Sequence, residues 1–105
     1  MKRKSTISEA QLHIGMGVTI QGWSDRHAGT LIQVLRGGRK LVIQMDIATR
    51  IDSNGMSESQ QYTYERDPNG TIEYATLRRD GKYRLMGGQS PVSLGNRNEY
   101  YDFSF

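Results

Sequence analysis

Turn formers recur so closely along this chain that its regular elements are expected to be short. Arg36-Gly37-Gly38-Arg39, Asn54-Gly55, Asp67-Pro68-Asn69-Gly70 and Asp80-Gly81 each interrupt an apolar pattern. Adjacent glycines supply the positive φ that a tight hairpin needs, and Asp67–Gly70 carries proline and glycine where a type I turn takes them. Between the turns the apolar residues alternate. Val18 and Ile20 share one face, and Leu41, Ile43 and Met45 share another, as the period of two in a β-strand requires.

Strands are therefore predicted over residues 18–23, 30–35, 41–46, 61–66, 71–77 and 82–86. The runs 30–35 and 41–46 form a hairpin about the Gly37-Gly38 turn. The run 71–77 is expected to return as the partner of 61–66. Residues 24–29 and 87–98 are predicted loops, and Ile47–Ser59 reads as a long excursion turning at Asn54-Gly55. Tyr100-Tyr101-Asp102-Phe103-Ser104-Phe105 places Tyr101, Phe103 and Phe105 on one face, expected to pack on its own sheet or on a neighbouring subunit. At the other terminus, Ser8 and Gln11 have the spacing of a capping box, which predicts a short helical turn to about Leu12 that stops at Gly15. An irregular lead-in would fit those residues as well.

Many short strands with frequent turns point to an all-β, mainly antiparallel fold. The expected architecture is an SH3-like small barrel or a curled sheet, with the N-terminal helical turn beside it. The 105 residues suit one domain. Residues 1–7 read as a flexible basic arm and residues 8–105 as a single β domain. Hydrophobic residues are 35% of the chain, so the core is lean, and homo-oligomerisation would bury apolar surface that a thin barrel cannot.

Charge narrows the partners. Lys2, Arg3 and Lys4 account for three of the 14 basic residues, and the other 11 balance 11 acidic residues. A neutral body with a basic arm does not favour bulk nucleic-acid binding, which rests on many phosphate contacts. The absence of cysteine excludes a structural disulfide and a Cys-based zinc site. No apolar stretch approaches the ~20 residues of a membrane span, and no apolar segment follows Met1-Lys2-Arg3-Lys4 to make a secretory signal. A cytoplasmic protein without membrane contact is expected. No P-loop, dinucleotide fingerprint or nucleophile elbow occurs, and neither a cofactor nor a metal is expected.

The densest concentration of chemistry is Trp23, Ser24, Asp25, Arg26 and His27, on a predicted loop between two strands. Arg26 has the fork that clamps a phosphate or carboxylate. Trp23 can stack on a ring, and His27 can donate to an anion or move a proton near neutral pH. The same residues would also serve structure alone, with Trp23 anchoring the core and Arg26 in a surface ion pair. Ser24, Asp25 and His27 are too crowded in one loop to converge as a triad. A second surface, Tyr74, Arg78, Arg79, Lys82, Tyr83 and Arg84, interleaves rings and cations as a single-strand or nucleotide binder does; a solvated hairpin face would share that composition.

The segments Gly22–Thr30 (GWSDRHAGT), Asp52–Gln60 (DSNGMSESQ), Asp67–Gly70 (DPNG) and Tyr100–Phe105 (YYDFSF) resemble a family of small phage and prophage proteins, the likeness running from about Gly15 to the C-terminus. It implies a viral accessory protein acting in the host cytoplasm. Such proteins often oppose host defence, and one group sequesters or cleaves nucleotide immune signals in anion-binding pockets. Three expectations follow. The first is a non-catalytic, oligomeric protein that captures a small anionic nucleotide signal through Trp23, Arg26 and His27, with the 47–59 excursion closing over it. The second is a metal-independent phosphodiesterase with His27 as general acid or base. The third is a protein or nucleic-acid interaction module.

Overall fold

A computed structural model describes residues 12–102. The expected arm over 1–7, the capping-box residues Ser8 to Gln11, and Phe103 and Phe105 lie outside the described residues. The strands are β1 (Gly17–Gln21), β2 (Arg26–Leu35), β3 (Lys40–Met45), β4 (Ile47–Arg50), β5 (Tyr62–Glu65), β6 (Ile72–Leu77), β7 (Tyr83–Leu85) and β8 (Pro91–Leu94). Six of them close a barrel in the order β1-β2-β3-β6-β7-β8, every neighbouring pair antiparallel. Of the two architectures expected, the chain adopts the barrel. Closure leaves no free edge among these six strands. β4 and β5 pair only with each other, as a two-stranded ribbon.

Alternation delivers the core. Val18, Ile20, Leu31, Leu41, Ile43, Ala75, Tyr83 and Val92 point inward as one buried cluster, joined by Met16. Leu31, Leu41 and Ile43 are fully buried; truncating any of them to alanine is expected to cost about 2–5 kcal/mol. A bulge between Leu31 and Gln33 inserts Ile32 into β2 and lets a long strand curl around the barrel. Leu12 and Val34 pack against the cluster from one end.

The turns are where the glycines placed them. Arg36–Gly38 forms a short 3-10 turn, with Gly37 at φ 66° and Gly38 at φ 96°. Arg36 itself adopts φ 54°, a left-handed conformation that costs an L-residue with a side chain about 1–2 kcal/mol. At the Asp67–Gly70 turn a Cβ on Gly70 would lie 2.2 Å from the Met45 carbonyl oxygen, so glycine is required by close approach.

Four expectations are corrected. β2 starts at Arg26, not Thr30, because Arg26 to Gly29 pair along β1 and their outer side is covered by the chain's end. Ile47–Arg50, expected within a loop, is a strand. Its partner is β5, whereas β6 pairs with β3 and β7 and not with β5. Pro91–Leu94, also expected as loop, is the strand that closes the barrel. Only Val92 on it is buried, which leaves no alternation to read, and proline is tolerated at a strand's first position.

Candidate ligand cleft at the barrel mouth

After β8 the chain runs back across β1 and β2 as a strap over residues 95–102. Gly95 N–H donates to the Gly17 carbonyl at 2.8 Å, and Thr19 Oγ1 donates to the Asn96 carbonyl at 3.1 Å. Arg97 then reaches a buried acid. Its Nε donates to Asp46 Oδ2 at 2.7 Å and its Nη2 to Thr30 Oγ1 at 2.8 Å, while Thr30 Oγ1 donates to Asp46 Oδ1 at 2.7 Å. The Asp46 side chain is 1% exposed, so the guanidinium compensates a carboxylate that water hardly reaches.

Glu99 is the strap's central residue and is 8% exposed. Its Oε1 accepts the Ala28 N–H at 2.8 Å, and its Oε2 meets His27 Nδ1 at 3.0 Å. An ionised carboxylate only accepts hydrogen bonds, so Nδ1 carries the proton and Nε2 is the ring nitrogen left for a visitor. The edge of Tyr101 stands 5.5 Å from the His27 ring. Burial, reinforced by a hydrogen bond to Glu99, pushes the Tyr101 hydroxyl up to about 12, so it stays protonated at neutral pH.

The excursion between β4 and β5 braces this strap. Gln60 Nε2 donates to the Tyr101 carbonyl at 2.7 Å, and Gln60 Oε1 accepts from Tyr101 N–H and from the Tyr62 hydroxyl. Tyr64 accepts the Glu99 N–H at 2.9 Å. Within the loop, Asp52 accepts from Arg50 Nε, Asn54 N–H and Gln61 N–H. The Arg50 bond first, then the backbone bond from Gln61, hold its carboxyl well below the usual carboxylate range.

His27, Glu99 and Tyr101 border a cleft of about 500 Å³ at the end of the barrel where β2 begins. Ile20, Ala28, Met45 and Leu85 supply its apolar wall, and Asp46 and Glu73 add carboxylates. Glu73 points inward because it alternates with buried Ala75 on β6. Among the described residues no lysine or arginine lines this cleft.

The five residues singled out in the sequence part company here. His27 alone of them lines the cleft. Trp23 is fully exposed beside Gly22, Ser90 and Pro91 in a separate shallow depression. Ser24 is exposed on the same turn. Asp25 receives the Asp102 N–H at 2.8 Å, and its carbonyl closes the turn by accepting the Gly22 N–H. Arg26 lies on the Tyr100 ring, 4.6 Å from its centre, while the two backbones exchange a pair of hydrogen bonds. Its Nε is buried without a hydrogen-bond partner.

The second predicted surface lies on the far half of the barrel. Tyr74 is exposed under the Lys40 ammonium, 5.0 Å from its ring centre. Arg78 fastens the β6–β7 hairpin through Thr76 Oγ1 and the carbonyls of Leu85 and Gly88. Arg79 and Lys82 are exposed. Tyr83 is buried and its hydroxyl donates to the Gly38 carbonyl. Arg84 pairs with Asp80 at 2.9 Å.

Sequence reasoning missed Glu99, Glu73 and the Asp46–Arg97 pair. Glu99 is 72 residues from the imidazole it orients, a separation no local pattern encodes. The segments around residues 22–30, 52–60 and 100–102 interlock in this one polar assembly. The chain matches no family model, no curated protein and no solved structure.

Proposed function

We propose that the protein is a binding module that captures a small nucleotide-type ligand in the barrel mouth, base first. The observation that carries this is the cleft's polarity. Its apolar wall suits a flat ring, and the Glu73 and Asp46 carboxylates on its lining accept hydrogen bonds, beside the His27 imidazole and the hydroxyl of Tyr101. A nucleobase offers ring N–H and exocyclic amine donors to such acceptors. A phosphate would face carboxylates there and no cation, so it stays outside. The likeness of the motifs to small phage proteins supports a counter-defence role in which a host nucleotide signal is sequestered.

Calorimetry with adenosine, guanosine, their 5′-monophosphates and ribose 5-phosphate tests this. One nucleoside should keep most of the affinity of its nucleotide, and ribose 5-phosphate should not bind. Glu73→Gln should weaken binding about tenfold to a hundredfold, since hydrogen bonds to charged groups contribute about 1.5–3 kcal/mol. Tight binding of ribose 5-phosphate, or unchanged binding by the variant, would refute base-first capture.

The pairing of His27 with Glu99 favours a second reading. A buried carboxylate that fixes an imidazole at the border of a cleft is the arrangement of a general base and its orienter. In that reading His27 takes the proton of a ligand 2′-hydroxyl as that oxygen bonds to the adjacent phosphorus, the P–O bond to the next nucleoside breaks, and the imidazolium returns the proton to the departing oxygen. Incubation with cyclic nucleotides followed by denaturation separates the two: intact ligand means capture, fragments mean catalysis.

A further inference from the structure

Two hairpin tips meet at the end of the barrel remote from the cleft. The β2–β3 turn brings Arg36, Arg39 and Lys40, and the β6–β7 turn brings Arg78, Arg79, Lys82 and Arg84. The tips are joined directly, by the Leu77 N–H on the Arg39 carbonyl at 2.9 Å and by the ladder that aligns Lys40 with Thr76 and Thr76 with Arg84. These two hairpins thus hold seven cations and one acid, Asp80, a balance of +6. The other described residues hold four basic and nine acidic side chains, a balance of −5.

Three further observations bear on what this end can do. Arg36, Arg39, Arg79 and Lys82 form no ion pair among the described residues. Among the described residues Arg36 is the one non-glycine residue with positive φ, and its side chain is exposed. A strained backbone that holds an exposed guanidinium with no internal bond marks a functional constraint better than a structural one. Tyr74 lies exposed beside this end, with Lys40 over its ring.

We infer that the basic end binds the backbone of a single-stranded nucleic acid, with Tyr74 as a platform for one base. Exposed cations around a stacking ring recognise a strand whose bases are unpaired, since bases in a duplex present no free face. Among the described residues this end carries no α-helix to enter a duplex groove, and its two hairpins are joined side by side in the barrel wall. The surface is separate from the mouth cleft and does not depend on what the cleft holds.

Fluorescence anisotropy of the full chain with labelled oligo(U) and oligo(dT) of about 16 nucleotides, over a salt series, tests the inference. Binding should weaken with salt at a slope of about −0.7 per phosphate neutralised. Arg36→Gly, which suits the left-handed backbone and so keeps the fold, should lower the magnitude of that slope by about 0.7, as should Arg79→Ala. Tyr74→Ala should weaken binding several-fold with the slope unchanged. Arg66→Ala, just after β5 and away from the two hairpin tips, should change neither. Binding that ignores salt, an unchanged slope in Arg36→Gly, equal affinity for a duplex, or equal competition by polyglutamate would each overturn the proposal.

Discussion

β2 begins at the mouth and ends at the basic tip, and its two ends are treated in opposite ways. At the mouth nearly every charge has a partner: His27 with Glu99, Asp46 with Arg97, Arg26 on Tyr100, Asp25 on the Asp102 amide. At the tip Arg36, Arg39, Arg79 and Lys82 project without ion pairs among the described residues. One end builds structure from polar groups that are consequently short of water; the other leaves its charges solvated and available. A chain whose body sums to zero therefore carries one strongly basic end, and net charge says little about what that end can meet.

The largest effect expected from this contrast is on stability. Arg97→Ala strands the buried Asp46 carboxylate and should cost about 3–5 kcal/mol in urea denaturation. Removal of Arg79 at the tip should cost nothing measurable, and equal costs at both ends would break the comparison. Next in size is a double dissociation. Glu73→Gln should lose ~1.5–3 kcal/mol of nucleoside binding and leave oligonucleotide binding intact, and Arg79→Ala should do the reverse.

A smaller effect appears at high pH. The Tyr101 hydroxyl titrates near 12, above the ordinary tyrosine value of about 10. Its contribution is complete below the ordinary value and is lost as pH rises from there through the folded value. Burial also raises Tyr62 and Tyr100, so alkaline titration at 295 nm should show several late tyrosines, with the last of them missing in Tyr101→Phe. The smallest effect is at the tip, where Arg36→Gly should raise stability by up to about 1 kcal/mol through relief of the left-handed backbone, offset in part by glycine's freedom in the unfolded chain.

Legibility followed locality. Gly37-Gly38, Asp67–Gly70 and Asp80-Gly81 announced their turns because the backbone conformation there is a property of adjacent residues. β3 was legible because Leu41 and Ile43 both face the core. β8 was not, since Val92 is its only buried residue, and β4 was not, since its isoleucine and threonine faces are exposed. The Trp23–His27 segment looked like one site because its residues are neighbours in sequence. Side chains on successive strand positions point to opposite faces, so His27 entered the cleft while Arg26 turned out to Tyr100.

The order of residues alone settled the class, the turn positions and the inward-facing apolar set, because all three depend on neighbours one to four positions apart. Folding in three dimensions decided which strands pair, that Glu99 rather than Asp25 orients His27, and that two turns 40 residues apart pool their arginines. Those outcomes depend on long-range ladder pairing and barrel closure, which bring together groups whose separation along the chain carries no pattern.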